Sequence, residues 1–118
     1  NVEVITARAE EVGAQDTHRE MYDAATARAV AQLNILAEYL LPLVRVGGFA
    51  IAQKGNTAPA ESQQANRAIT ILGGVIRPLI LVMIPRVEEA RYLVVMKKIK
   101  PTPAAYPRRV GIPSRKPL

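Results

Sequence analysis

The chain has no cysteine and no tryptophan. Without cysteine, disulfide staples, thiolate metal sites and cysteine nucleophiles are excluded, and with them the small secreted scaffolds that depend on such cross-links. Aromatic residues make up 4% of the chain, one Phe and four Tyr, so any core is built from Ala, Val, Leu and Ile. Histidine occurs once, as His18 in a polar stretch; a lone imidazole with no partner to orient it reads as a solvated loop residue. Long apolar runs are also missing. Arg28 and Glu38 break one and Arg77 and Pro78 another, well short of the ~20 residues a membrane span requires. The opening, Asn1-Val2-Glu3-Val4-Ile5, has neither a Met nor the basic stretch of a signal peptide, as expected of a sequence that starts partway through something longer.

What is present is enough for one domain: 118 residues, 49% of them hydrophobic. Charge is unevenly placed. Residues 97–118 hold Lys97, Lys98, Lys100, Arg108, Arg109, Arg115 and Lys116 with no acidic residue, whereas residues 1–96 carry nine basic against ten acidic side chains. A near-neutral body with a cationic tail reads either as a solvated terminus or as a contact for a polyanion. Nucleic acid fits better than a membrane surface, because the tail has no amphipathic apolar face.

Periodicity gives the elements. Alternation over Val2–Ala7 predicts a strand that ends near Arg8-Ala9-Glu10. Tyr22–Ala27 is Ala-rich and ambiguous between strand and helix. Val30, Leu33, Ala37, Leu40 and Val44 recur at steps of three and four and predict a helix, with Pro42 in its last turn and Gly47-Gly48 at its end. Phe49–Ala52 then has strand length. A second helix is capped by Thr57, with Pro59 in its first turn, an apolar face of Ala65, Ala68, Ile69 and Leu72, and a stop at Gly73-Gly74. Val75–Ile84 is rich in β-branched residues, and Pro78 makes it an edge or bulged strand. Pro85–Glu89 turns an antiparallel hairpin into a last strand, Tyr92–Met96. The class is α/β, with a mostly parallel sheet and one antiparallel edge. The expected division is a body of residues 1–96 and an extended, proline-rich basic tail, 97–118, which holds five of the nine prolines.

Hydrolytic chemistry has no visible seat. Glu10-Glu11 and Glu88-Glu89 are adjacent pairs whose side chains diverge, and the glycine pairs form no phosphate-binding loop. Polar residues do fall after strands: Glu10, Arg28 and Lys54. In open α/β sheets ligands bind outside the carboxyl ends of strands, so these three could face one crevice.

Ala7-Arg8-Ala9-Glu10-Glu11, Thr26-Ala27-Arg28-Ala29-Val30-Ala31, Leu41-Pro42-Leu43 with Gly47-Gly48, and Lys54-Gly55 resemble the second half of the ribosomal RNA small-subunit methyltransferase G family, also called glucose-inhibited division protein B. The tail is similar to its closing signature in Lys100-Pro101-Thr102-Pro103, Tyr106-Pro107-Arg108, Gly111, Pro113 and Lys116-Pro117-Leu118. The resemblance implies a cytoplasmic, S-adenosylmethionine-dependent enzyme of the class I, Rossmann-like methyltransferase fold, which methylates guanine N7 in 16S ribosomal RNA. It further implies that Ala9 and Glu10 border the cofactor's adenosine end and that Arg28 is a second cofactor contact. Lys54, Lys97, Lys98, Arg108, Arg109, Arg115 and Lys116 would then serve RNA.

The family's glycine-rich cofactor loop and N-terminal helical region precede the matched part, and nothing in this sequence replaces them. If Val2–Ala7 is the third strand of that fold, the first and second strands that separate it from the fourth are absent. The chain would keep the half sheet ordered fourth, fifth, seventh, sixth, with a raw edge on the fourth strand. The expectation is therefore a C-terminal portion whose partners are 16S ribosomal RNA, or the small ribosomal subunit, and the missing N-terminal half, and which is inactive alone. Two other readings stand beside it: a non-enzymatic RNA- or ribosome-binding module using the cationic tail, and a structural fragment that associates through the Ala24–Ala27 edge. For base stacking the tail offers only Tyr106, which could equally pack on the body.

Overall fold

The computed structural model describes residues 1–28 and 31–118. Its elements are α1 (Ala9–Ala14), β1 (Tyr22–Arg28), α2 (Leu33–Leu40) with a 3-10 turn at Leu41–Leu43, β2 (Val44–Lys54), α3 (Ala58–Ile71), β3 (Gly74–Ile76), β4 (Ile80–Val82), β5 (Arg91–Lys98) and α4 (Ile112–Arg115). One mixed sheet runs β1-β2-β5-β3, with β4 also on β5. β1 and β2 are parallel; β5 is antiparallel to β2, β3 and β4.

Helices α2 and α3 cover one face of this sheet. Leu33, Leu36, Ala37 and Leu40 of α2 and Ala58, Ala65 and Ile69 of α3 meet Ala50 and Ala52 of β2 and Val94 and Met96 of β5. Alternation in a strand sends every second residue to the other face. There Ala24, Thr26 and Arg28 stand in register with Phe49, Ile51 and Gln53, which pair onward with Lys97, Val95 and Leu93. No described element packs over this second face.

The expected helices and hairpin form, and the ambiguous Tyr22–Ala27 segment is a strand, decided by its pairing with β2 rather than by its Ala-rich composition. Pro78 falls between β3 and β4, splitting the run as its missing N–H requires. The expected helix start at Val30 lies outside the described residues.

The sheet is mixed rather than mostly parallel, since one parallel pair, β1–β2, stands against three antiparallel ones. Three further expectations need correction. Val2–Ala7 is not a strand: residues 1–6 have no regular structure, and Val2 and Val4 are 90% and 85% exposed. A β pattern makes a strand only beside a partner, and none is available at this end. Gly47-Gly48 does not end a helix. Pro42 has already turned α2 into a 3-10 turn, Val44 opens β2, and the glycines lie where the β1–β2 register jumps between Tyr22 and Ala24. A Cβ on Gly48 would lie 2.4 Å from the Asp23 carbonyl oxygen, so close approach of the two strands demands glycine there.

The tail is the third correction. Lys97 and Lys98 belong to β5, Ile112–Arg115 is helical, and Thr102 and Pro113 are buried. At its root the N–H groups of Ile99 and Lys100 donate to the Gly73 carbonyl, and Thr102 Oγ1 donates to the Leu72 carbonyl at 2.7 Å. Proline richness removes regular hydrogen bonding, but it does not prevent an extended segment from packing when side chains of the body take its backbone groups.

Candidate functional site

Parallel β1 and β2 end together at Arg28 and Lys54, and antiparallel β5 begins beside them because Tyr92 pairs with Lys54. A cleft of about 280 Å³ opens at this end, lined by Arg28, Gln53, Lys54, Val82, Ile84, Arg91, Tyr92 and Leu93. Its walls are apolar and aromatic on the β4–β5 side, with guanidinium groups from Arg28 and Arg91. Such a lining suits a flat ring or an anion.

Lys54 is only 6% exposed. Its ammonium lies 2.9 Å from Glu61 Oε1 and donates to the Ala31 carbonyl. Glu61 also accepts from the Leu33 N–H at 3.0 Å and from Thr57 Oγ1 at 2.7 Å. A single carboxylate thus caps the first turn of α2 and ties it to the ends of β2 and α3. The expected Thr57 cap is replaced by this hydroxyl–carboxylate contact; the Thr57 side chain makes no bond to the helix backbone.

At the opposite end of the sheet Lys98 is wholly buried. It donates to the carbonyls of Leu41 (2.7 Å) and Val44 (2.9 Å) and lies 3.0 Å from Glu20 Oε2. Burial pushes its ammonium below the usual lysine value, and Glu20 partly offsets that. Lys98 is therefore part of the interior and is removed from the set of cations that RNA could reach.

Three carboxylates of the body hold the tail through its backbone. Glu20 accepts the Thr102 N–H at 3.0 Å, Glu38 the Arg108 N–H at 2.8 Å, and Glu10 the Gly111 N–H at 3.2 Å. Glu38, 1% exposed, also receives the Arg108 guanidinium, Nη2 to Oε1 at 2.8 Å and Nε to Oε2 at 3.1 Å. Arg19 donates to the carbonyls of Thr102, Pro103 and Tyr106. Tyr106 packs against the core cluster, which settles its two readings in favour of packing.

Burial raises the carboxyl groups of Glu10, Glu20 and Glu61, but hydrogen bonds and neighbouring cations outweigh it: Gly111 N–H and Arg8 for Glu10, Thr102 N–H, Lys98 and Arg19 for Glu20, Thr57, Lys54 and Leu33 N–H for Glu61. All three sit below the ordinary value of 4.5. A carboxyl depressed in the folded state adds stability that is complete above its unfolded value and is lost as pH falls through the folded one. Thermal unfolding followed by circular dichroism is thus expected to show a melting temperature that is flat near neutrality and falls as pH drops below 4.5. Glu20→Gln should flatten that fall.

Of the sequence-predicted site residues, the structure brings Arg28 and Lys54 into one cleft. Ala9 and Glu10 are elsewhere: with no strand before them they lie on α1, and the Glu10 carboxylate is occupied by Arg8 and Gly111. Glu10 is not among the residues that line the cleft with Arg28 and Lys54. Arg108 is held by Glu38, while Arg109, Arg115 and Lys116 are exposed and Lys97 is half-buried. Sequence reasoning missed Arg91 and Tyr92. Their signal was the hairpin itself, since an antiparallel last strand must start at the end where its parallel neighbours finish. It also missed Glu38, whose signal was one acidic residue within an otherwise apolar stretch of helix.

A one-layer mixed sheet backed by two helices and open at the carboxyl ends of its parallel strands defines an α/β protein with a ligand cleft at the usual end. Comparison with known proteins is specific. The family described as rRNA small subunit methyltransferase G matches residues 1–89. Ribosomal RNA small subunit methyltransferase G of Alkaliphilus metalliredigens (strain QYMF) is 48% identical over 118 residues, all of this chain and 49% of that protein. That of Roseiflexus castenholzii (strain DSM 13941 / HLO8) is 53% identical over 118 residues, all of this chain and 50% of that protein, and that of Lactobacillus acidophilus (strain ATCC 700396 / NCK56 / N2 / NCFM) is 45% identical, covering 49%. The chain belongs to the rRNA small subunit methyltransferase G family. It spans about half the length of the curated relatives it matches.

Proposed function

We propose that this chain is the C-terminal portion of an S-adenosylmethionine-dependent enzyme that methylates guanine N7 in 16S ribosomal RNA, working in the cytoplasm. The observation that carries the reading is the cleft of Arg28, Gln53, Arg91 and Tyr92 at the carboxyl ends of β1 and β2, in a chain whose relatives are named for ribosomal RNA methylation. The order β1-β2-β5-β3 supports an incomplete class I methyltransferase sheet, because it follows the order expected of the half that ends in an antiparallel hairpin. In this reading residues 1–96 are the methyltransferase portion and 97–118 the closing segment.

The residues of the cleft fit the cofactor only in part. Arg28 suits its carboxylate end, while Lys54 is committed to Glu61 and Arg91 to Glu89, and no carboxylate is among the lining residues to take ribose hydroxyls. The rest of that site belongs to the half that the relatives have and this chain does not. The bare second face supports the same conclusion: Phe49, Val75 and Ile80, between 37% and 47% exposed, form an apolar surface that the other half would cover. Ala9 and Glu10 would border the adenosine end only once that half orders the segment before α1. Nothing in the cleft is poised as a base, and guanine N7 needs none, since it reacts through a free lone pair.

Calorimetric titration of S-adenosylmethionine into this chain, and into the chain extended by the missing half, tests the reading. Binding to the extended form alone is expected. Binding to neither would overturn it and leave a non-enzymatic RNA-binding module.

A further inference from the structure

The tail's hydrogen bonds give it a direction. Lys98 meets the carbonyls of Leu41 and Val44, beyond the last turn of α2; Arg108 meets Glu38 within that last turn; and Asn34 Nδ2, in the first turn, donates to the Leu118 carbonyl at 3.3 Å. The tail therefore climbs α2 from its C-terminal to its N-terminal end. At about 1.5 Å per helical residue, that ascent from the level of Leu41 to that of Asn34 is about 10 Å. The N-terminal end of α2 is the cleft end. Lys54, which lines the cleft, donates to the Ala31 carbonyl, and its partner Glu61 caps Leu33.

We propose that the tail is a strap that carries Arg115 and Lys116 to the rim of the cleft, where they clamp the phosphates of an RNA whose base enters beside Tyr92 and Arg28. This rests on the RNA reading above and deepens it by dividing six of the seven tail cations, which look equivalent in sequence. Lys98 is buried and Arg108 is paired with Glu38. Lys97 and Lys100 stand at the opposite end, beside Val75 and Gly73, where β5 leaves the sheet. Arg115 and Lys116 are exposed, and the bond from Asn34 to Leu118 holds the chain two residues past Lys116 against the cleft end of α2. The carboxylates of Glu10 and Glu38 hold the strap along its course, so these cations are positioned before RNA arrives.

The test compares two doubly substituted chains of equal charge, Arg115→Ala with Lys116→Ala and Lys97→Ala with Lys100→Ala. Each is titrated against a fluorescein-labelled RNA hairpin with an unpaired guanine, by anisotropy at several salt concentrations. For the first pair the slope of log affinity against log salt is expected to fall by about 1.4, about 0.7 for each lost phosphate contact on a single strand, with little change for the second pair. Equal losses in the two pairs, or no change in either, would overturn the strap while leaving RNA binding intact. Salt-independent or absent binding by the unsubstituted chain would overturn the RNA reading and the strap with it.

Discussion

Replacing Arg108 with Ala is expected to destabilise the fold by about 3–5 kcal/mol, the range for breaking a buried ion pair by removing one partner. The magnitude comes from what is left behind. Glu38 is 1% exposed and accepts four bonds from Arg108, one from its N–H and the others from its guanidinium. Truncation to Ala leaves the backbone bond but removes the cation that, among the described residues, pairs with a carboxylate enclosed by α2 and the tail. Lysine at this position cannot make the forked contact and should recover only part of the loss. Adding Glu38→Gln to Arg108→Ala removes the stranded charge, so the double variant should be more stable than Arg108→Ala alone. Urea unfolding followed by far-UV circular dichroism reads all three; an Arg108→Ala midpoint equal to that of the unsubstituted chain would refute the argument.

Lys98→Met is expected to cost about 3–5 kcal/mol, since it strands a carboxylate and two buried carbonyls at once. Methionine matches the lysine stem in volume, so packing is kept and the loss reports the polar contacts. Three acceptors face the Lys98 ammonium: the Leu41 and Val44 carbonyls and Glu20 Oε2. Glu20, about a quarter exposed, can recruit water, but the two carbonyls at the α2–β2 junction cannot shift without moving the 3-10 turn. The variant separates two roles for a tail lysine. A phosphate contact would lower the salt slope of RNA binding and leave the urea midpoint alone; an interior lysine does the reverse, and the reverse is expected.

The core was legible because it depends on spacing within elements. Leu33, Ala37 and Leu40 define a stripe whatever lies around them, and Ala65, Ala68 and Ile69 do the same for α3. Misreadings arose where a local signal needs a distant partner. Val2–Ala7 alternates like a strand but has nothing to pair with. Gly47-Gly48 carries the mark of a helix end, but Pro42 had ended the helix five residues earlier, and the glycines serve the approach of β1. Arg28 and Lys54 were found because strand ends converge in any parallel pair, and Arg91 was missed because its place depends on the antiparallel return. Charge counting treated seven tail cations alike; the partners of Lys98 and Arg108 lie 54 to 78 residues upstream and leave no trace in local composition.

The contacts of α1 and its following loop with the tail join the two ends of the chain. Glu10 to Gly111, Glu20 to Thr102 and Arg19 to Tyr106 close loops of 101, 82 and 87 residues. Loops of that span form only after the sheet and its helices have brought their ends together, so the two termini consolidate last and as one cooperative unit. Loss of either end then loosens the other. In a longer polypeptide, anything that pulls on the segment before Arg8 acts, through Glu10 and Arg19, on the residues that close the chain more than a hundred positions later.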